Sequence, residues 1–297
     1  MSRRNSYSTV VSIAALVLIA MIAMVSCSRG GGGSESGESA KQYITIKGSD
    51  TMVHLASTWA EAYMKANPGT EISVTGGGSG TGIAALINGT TDLCAASRKM
   101  KSSEKDLAMQ KGSEPQEFVV ARDGIAVVVN PGNPVSEMSI EQIAKIYTGA
   151  YKSWSEVGGP DQPVIVLSRE SSSGTYVFFQ EHVLSKKDYT PEARLMPATS
   201  AIIQSVSSDA WAIGYVGLGY ALEAGDKVKM ISVKADESSP AVAPSEATVT
   251  SGDYSIARPL HLYTAGEPTG LVKAFIDYTL SPAGQQIVQE TGYVKVN

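Results

Sequence analysis

Hydrophobic and polar positions divide the chain into three unlike stretches. Residues 10–25 are almost unbroken apolar sequence behind Arg3 and Arg4, and the run ends at Met24-Val25-Ser26-Cys27. Residues 28–40 carry Gly30-Gly31-Gly32-Gly33 in a Ser/Glu/Gly mixture with nothing to bury, a composition that behaves as a flexible tether. From residue 41 onward apolar positions recur with the spacings of folded elements. The remaining length, about 255 residues, suits two lobes of ordinary domain size.

Within that folded part, period-two runs alternate with period-3.6 runs. Residues 43–47 predict a strand, and residues 54–66 a helix closed by Asn67-Pro68-Gly69. Residues 71–75 predict the next strand. Ile83, Leu86 and Ile87 then form one face of a short helix with Gly89 just past its end. Residues 92–96 and 124–129 read as further strands. Asn130-Pro131-Gly132-Asn133-Pro134 marks the start of a second unit. There Ser139 and Gln142 make a capping box for a helix over 140–147. Strands at 164–167, 212–216, 227–233 and 260–263 follow, with helices at 175–184, 269–280 and 282–291; residues 240–245 read as surface loop. Strands alternating with helices mean an α/β fold with mostly parallel sheets. No internal repeat stands out.

The N-terminal run is the layout of a secretory signal peptide over residues 1–26. A cysteine at the cleavage position resembles a bacterial lipobox. In that motif Cys27 is lipidated and becomes the first residue of a mature chain tethered through residues 27–40. Charge then narrows the partners. The whole chain has 24 basic and 29 acidic residues. Without Arg3 and Arg4 the balance is 22 against 29, a net charge of −7. No basic cluster offsets this, which argues against a nucleic-acid partner. An anionic ligand therefore needs a local site that holds it against the global field. With Cys27 assigned to a lipid, Cys94 has no disulfide partner, and its setting in Leu93-Cys94-Ala95-Ala96 predicts a buried, unreactive thiol. His54, His182 and His261 have no metal-ligand spacing, so neither a metal nor another cofactor is expected.

Three junctions share one design, in which a strand ends in small polar residues and a helix begins at once. They are Gly48-Ser49-Asp50-Thr51-Met52, Gly76-Gly77-Gly78-Ser79-Gly80-Thr81-Gly82, and Ser168-Arg169-Glu170-Ser171-Ser172-Ser173-Gly174-Thr175. A helix start leaves backbone N–H groups unpaired and carries partial positive charge, which suits an anion. Glycine lets backbone approach a ligand, and Ser or Thr adds a hydroxyl. In open α/β sheets ligands bind beyond the carboxyl ends of the strands, where these junctions fall. Arg169 adds a planar fork able to grip two oxygens. Any one such turn is more often a plain N-cap. The glycine-rich junction matches neither the dinucleotide fingerprint nor the P-loop, since Ile83 stands where the P-loop needs Lys. Three together, one with Arg169, favour an anion site.

At these junctions the chain resembles the PstS family of phosphate-binding proteins, from about residue 44 to residue 296. Arg169 followed by Ser173-Gly174-Thr175 is the most specific piece. Gly76-Gly77-Gly78-Ser79, residues 140–147, residues 212–216 and the closing Gly292-Tyr293-Val294 support it in family order. The resemblance implies a two-lobed, periplasmic-binding-protein-like clamshell of type 2, with mixed sheets flanked by helices. Residues 41–127 plus 258–297 would form lobe I and residues 128–257 lobe II. The chain would cross between them near 127–130 and again near 254–259. It implies phosphate contacts at Thr51, Met52, Ser79, Arg169, Ser173, Gly174 and Thr175. It also implies an extracytoplasmic receptor, anchored to the membrane through Cys27, that delivers phosphate to the permease subunits of an ABC importer. One position departs from the family. The Asp that accepts the ligand's proton and repels sulfate is here Ser97, followed by Arg98. Asp50, beside Thr51, is the candidate for the missing carboxylate, with an ordinary N-cap as the plainer alternative.

Two other functions stay open on the sequence. The Ser97 departure allows another oxyanion such as sulfate. Ser79 and Ser173 are conceivable nucleophiles of a secreted serine-type hydrolase or phosphatase, but no G-x-S-x-G elbow occurs and no histidine has a motif that marks it as the base. No catalytic residues are therefore assigned.

Overall fold

A computed structural model describes residues 42–296. The expected signal peptide, the lipid position Cys27 and the tether lie outside the described residues. No helix among the described residues is long and apolar enough to cross a membrane.

The chain opens with β1 (Gln42–Gly48), α1 (Val53–Ala66), β2 (Thr70–Thr75), α2 (Ser79–Ile87), β3 (Leu93–Ala96) and α3 (Ser102–Gln110). Alternation in β1 turns Ile44 and Ile46 inward. Leu55, Ala56, Trp59 and Tyr63 put one apolar stripe of α1 against them. The Trp59 indole Nε1 is satisfied by the Gly284 carbonyl at 2.7 Å, as a buried Trp requires. β1 pairs in parallel with both β2 and β3.

The long β4 (Gln116–Val129) leads into β5 (Glu137–Ser139), α4 (Ile140–Tyr147), β6 (Ile165–Arg169), α5 (Gly174–His182), β7 (Arg194–Met196), α6 (Thr199–Ser208) and β8 (Ala212–Gly217). Then come α7 (Leu218–Ala224), β9 (Lys229–Met230), β10 (Ser232–Lys234), α8 (Glu246–Ser251), β11 (Ala257–Thr264), α9 (Gly270–Leu280) and α10 (Pro282–Glu290). The capping box expected at α4 is present: Gln142 N donates to Ser139 Oγ at 3.1 Å and Ser139 N to Gln142 Oε1 at 2.9 Å.

The main sheet runs β2-β1-β3-β11-β4-β8-β6-β7, with β9 against the end of β4. Its outer pairs are parallel, but β11 is antiparallel to β3 and β4, and β4 is antiparallel to β8. The mostly parallel sheet expected from strand–helix alternation is thus corrected at its centre. β11 returns along residues 116–124 of β4 in the opposite direction, so the two pair antiparallel despite the helices between them in sequence. The strand expected over 227–233 is also two elements: β9 pairs with β4, while β10 pairs with β5 in a separate two-stranded sheet.

Two cores result. One packs α1, α9 and α10 on β1, β3, the first part of β4 and β11. The other gathers the last part of β4 with α4, α5 and β8, and Trp154 and Tyr215 lie inside it. β4 joins them and changes partner on the way. Residues 116–124 pair with β11, and residues 125–129 with β8.

Candidate functional site

The three junctions singled out in the sequence converge where the two cores meet. Gly48 ends β1 with φ of +147°, and a Cβ there would lie 2.0 Å from the Ala95 carbonyl oxygen, so only glycine allows this close approach. The next residues form a 3₁₀ turn, Asp50–Met52, that enters α1. Tyr220 Oη clamps the turn through the Asp50 carbonyl at 2.9 Å, and Tyr293 Oη donates to the Thr51 carbonyl. At the second junction Gly78 caps α2 with φ of +94° and passes directly over the Ser172 carbonyl. At the third, Ser173 Oγ accepts from Thr175 N and Tyr176 N and starts α5.

The predicted site residues are brought together across this meeting line. Thr51 Oγ1 and Thr175 Oγ1 lie 2.8 Å apart although 124 residues separate them in sequence. Ser79 Oγ sits 3.3 Å from Ser97 Oγ and accepts from Ser97 N at 3.0 Å. Gly174 faces both serines: a Cβ on it would lie 2.3 Å from Ser79 Oγ and 2.7 Å from Ser97 Oγ. Gly80 N donates to Ser172 O at 2.9 Å and ties the second junction to the third. Met52 stands apart. Its side chain is in the core, and its N–H is already given to Ser49 O at 3.0 Å.

Arg169 is 2% exposed at the end of β6. Nε donates to Met196 O, Nη1 to Thr199 Oγ1, and Nη2 to both Pro197 O and Asp50 Oδ2, the last at 2.6 Å. A guanidinium has five N–H donors, so this arrangement commits all but one of them to the protein. Asp50 is equally engaged, with Oδ1 accepting from Gly77 N at 3.0 Å. Its carboxylate thus holds Arg169 and the glycine-rich junction in place. Tyr215 lies beneath, its Oη bonded to Ser168 Oγ at 2.8 Å and to Arg169 N at 3.3 Å. It supports the strand under Arg169 from within the core.

Sequence reasoning missed a second buried cation. Arg258 on β11 is 3% exposed. Its Nη2 lies 2.9 Å from Thr175 Oγ1, 3.4 Å from Thr51 Oγ1 and 3.0 Å from Asp123 Oδ2. Asp123, fully buried on β4, also accepts from Leu218 N at 3.1 Å. Burial pushes the Asp123 carboxyl up and the Arg258 guanidinium down, and their mutual attraction opposes both shifts. The two are direct partners in the β4–β11 register. A charge on either side of the meeting strands, Asp123 before an apolar run and Arg258 before Pro259, was the available signal. Ser49 was missed as well; its Oγ donates to Ser97 Oγ at 2.8 Å.

The arrangement brings hydroxyls from three helix starts into direct contact beside two buried guanidinium groups. It presents donors to an oxyanion and offers no hydroxyl an imidazole base: His261 is buried on β11 with Nδ1 3.3 Å from Glu117, while His54 and His182 are exposed. Burial pushes the Cys94 thiol well up, which suits an inert core residue.

Comparison with known proteins agrees with this geometry. A family model described as a PBP superfamily domain matches residues 33–283. The phosphate-binding protein PstS of Staphylococcus haemolyticus is 34% identical over 290 residues, covering 94% of this chain and 90% of that one. PstS of Pseudomonas aeruginosa is 33% identical over 268 residues, with 84% and 82% covered. Among solved structures, a Clostridium perfringens substrate-binding protein of the phosphate ABC-transporter type, crystallised with bound phosphate, superposes with a TM-score of 0.78 at 32% identity. The match covers 86% of this chain and all of that one. An ABC-type phosphate transport receptor from Vibrio cholerae gives 0.68 at 29% identity over the same share. The mixed α/β clamshell of type 2 is the fold they share.

Proposed function

Because this chain belongs to the PstS family of phosphate-binding proteins, we propose that it captures inorganic phosphate between its two halves and hands it to the permease subunits of an ABC importer. The observation that carries the reading is the pairing of Thr51 with Thr175 and of Gly174 with Ser79 and Ser97 across the meeting line. Hydroxyls and helix starts from both halves reach one point, as capture by closure requires.

The moving parts are lobe I, residues 41–127 plus 258–297, and lobe II, residues 128–257. β4 and the segment leading into β11 serve as hinges, supported by the change of β4's partner after Gly124. Thr51, Ser79 and Ser97 hold the ligand from one lobe, and Arg169, Ser173, Gly174 and Thr175 from the other. Arg169 supplies one charged N–H, and Asp50 fixes its direction. The work is done outside the cytoplasm, with the chain tethered to the membrane by a lipid on Cys27. The protein needs no cofactor and leaves its ligand chemically unchanged.

Mass action supplies a test that also separates capture from hydrolysis. At a hundredfold excess over its dissociation constant, a ligand that binds only the native state stabilises it by about 2.7 kcal/mol. For a chain of this size that raises the unfolding midpoint by roughly 5–10 °C. We expect phosphate to produce this shift and an aryl phosphate ester to remain uncleaved. Sustained release of phosphate from the ester, with no shift from phosphate itself, overturns the reading.

A further inference from the structure

Beside the phosphate cluster lies a cavity of about 330 Å³. It is formed between α5 on one side and residues 98–101 with the middle of β11 on the other. Its charge is unlike that of the chain. Arg98, Lys99, Lys101 and Arg258 line it, with Glu181 as the acidic residue of the lining, in a protein whose formal net charge is −5. Two of these cations are already paired, since Arg98 binds the half-buried Glu104 at 2.7 Å and Arg258 binds the buried Asp123. Counting those carboxylates, the lining still keeps Lys99 and Lys101 against Glu181.

The buried groups of the cavity retain unused capacity. Arg98 Nε and Arg258 Nη1 have no hydrogen-bond partner although both atoms are shut off from solvent. The His261 ring is in the same position: its Nδ1 lies 3.3 Å from Glu117 Oε1 without the alignment of a hydrogen bond. Burial holds this imidazole down at about 4, against the pull of Glu117. At neutral pH it therefore contributes polarity and not charge. Buried donors left unpaired are costly and rare in folded proteins. Here several unpaired nitrogens collect at one cavity.

Arg258 connects the cavity to the cluster already described. Its guanidinium lies 5.4 Å from the centre of the Phe178 ring, which belongs to the cavity wall, while Nη2 touches Thr51 and Thr175.

We infer that this cavity is a second, weaker site for a small oxyanion, lying next to the capture site and sharing Arg258 with it. Arg98 and Arg258 are its fixed donors, and the exposed Lys99 and Lys101 draw the anion in. The Val177, Phe178 and Met100 walls give an anion no donor, so the second site is much the weaker of the two. Its position, lined from both halves, makes it a holding point for phosphate gathered from solution against the overall negative field.

Equilibrium dialysis with inorganic phosphate, on purified protein first washed free of it, is the test. The protein should take up two phosphates per chain in well-separated steps. Raising the salt should weaken the second step, which depends on exposed lysines. Lys99→Gln combined with Lys101→Gln should lose the second step and keep the first at its original midpoint. Arg169→Met should weaken the first step about 100-fold and leave the second at its original midpoint. A single tight phosphate per chain, with no weaker uptake up to millimolar concentrations, overturns the inference, as does a double variant that still takes up two. Loss of the tight step alone in the unaltered protein would sink phosphate capture and leave the second site standing.

Discussion

Gly174→Val is expected to fold normally and to lose phosphate binding by about 1,000-fold or more, equivalent to about 4 kcal/mol. Gly174 opens α5. The difficulty is across the cleft: a Cβ at this position falls 2.3 Å from Ser79 Oγ and 2.9 Å from Ser79 Cβ, both on the opposite lobe. Valine adds two methyl groups beyond that point. Rotating Ser79 away would break its contacts with Ser97 Oγ and Ser97 N. The cheaper escape is for the lobes to stay apart, which leaves each core intact. Circular dichroism and thermal unfolding without ligand should therefore match the unaltered protein while binding disappears. Gly82→Ala makes the contrast, because its Cβ would press on the Lys47 carbonyl and on Gly48 within the same lobe. That change should lower the unfolding midpoint even without phosphate. Normal phosphate affinity in Gly174→Val would show that capture does not require the closed arrangement.

Replacing Arg169 with Met should cost phosphate affinity about 100-fold, close to 2.7 kcal/mol. One free N–H of a buried guanidinium is a charge-assisted donor worth roughly 1.5–3 kcal/mol. Its removal also leaves Asp50 without the partner 2.6 Å away, and the carboxylate then faces the incoming anion uncompensated. Arg169→Lys keeps the charge but cannot reach Met196, Pro197, Thr199 and Asp50 at once, so it should recover only part of the loss. Equilibrium dialysis of all three proteins checks this order. Equal affinity in the Arg169→Met protein would place the charge that holds phosphate elsewhere, with Arg258 the next group to examine.

The three strand–helix junctions were legible because their chemistry is local. Glycine, serine and threonine at Gly48–Met52, Gly76–Gly82 and Ser168–Thr175 announce both a tight turn and a helix start, and Ser139 with Gln142 announces a cap. Elements that depend on distant partners were not legible. The first half of β4 mixes Glu117, Arg122 and Asp123 with apolar residues, and it reads as a strand only once β11 lies beside it. The Ser- and Thr-rich α6 has weak intrinsic helix preference. It is held by burying Ile202 and Val206 against β8 and the last part of β4. β9 and β10 merged into one predicted strand because the apolar pattern runs through Ile231, whereas their partners differ. Asp50 was visible as a residue but not in its role, since Arg169 lies 119 positions away in sequence. The Asp123–Arg258 pair stayed hidden for the same reason: only the register of β4 with β11 sets the two opposite each other.

The most direct test of the central claim is a calorimetric titration of phosphate-free protein with phosphate and then sulfate at neutral pH. A tight first phosphate step is expected, and with Ser97 standing where the family pattern has its proton-sensing Asp, the sulfate arm reads whether any other group discriminates between the two anions. Failure of phosphate to bind would contradict capture outright, and equal heats and affinities for the two anions would make this chain a general oxyanion receptor.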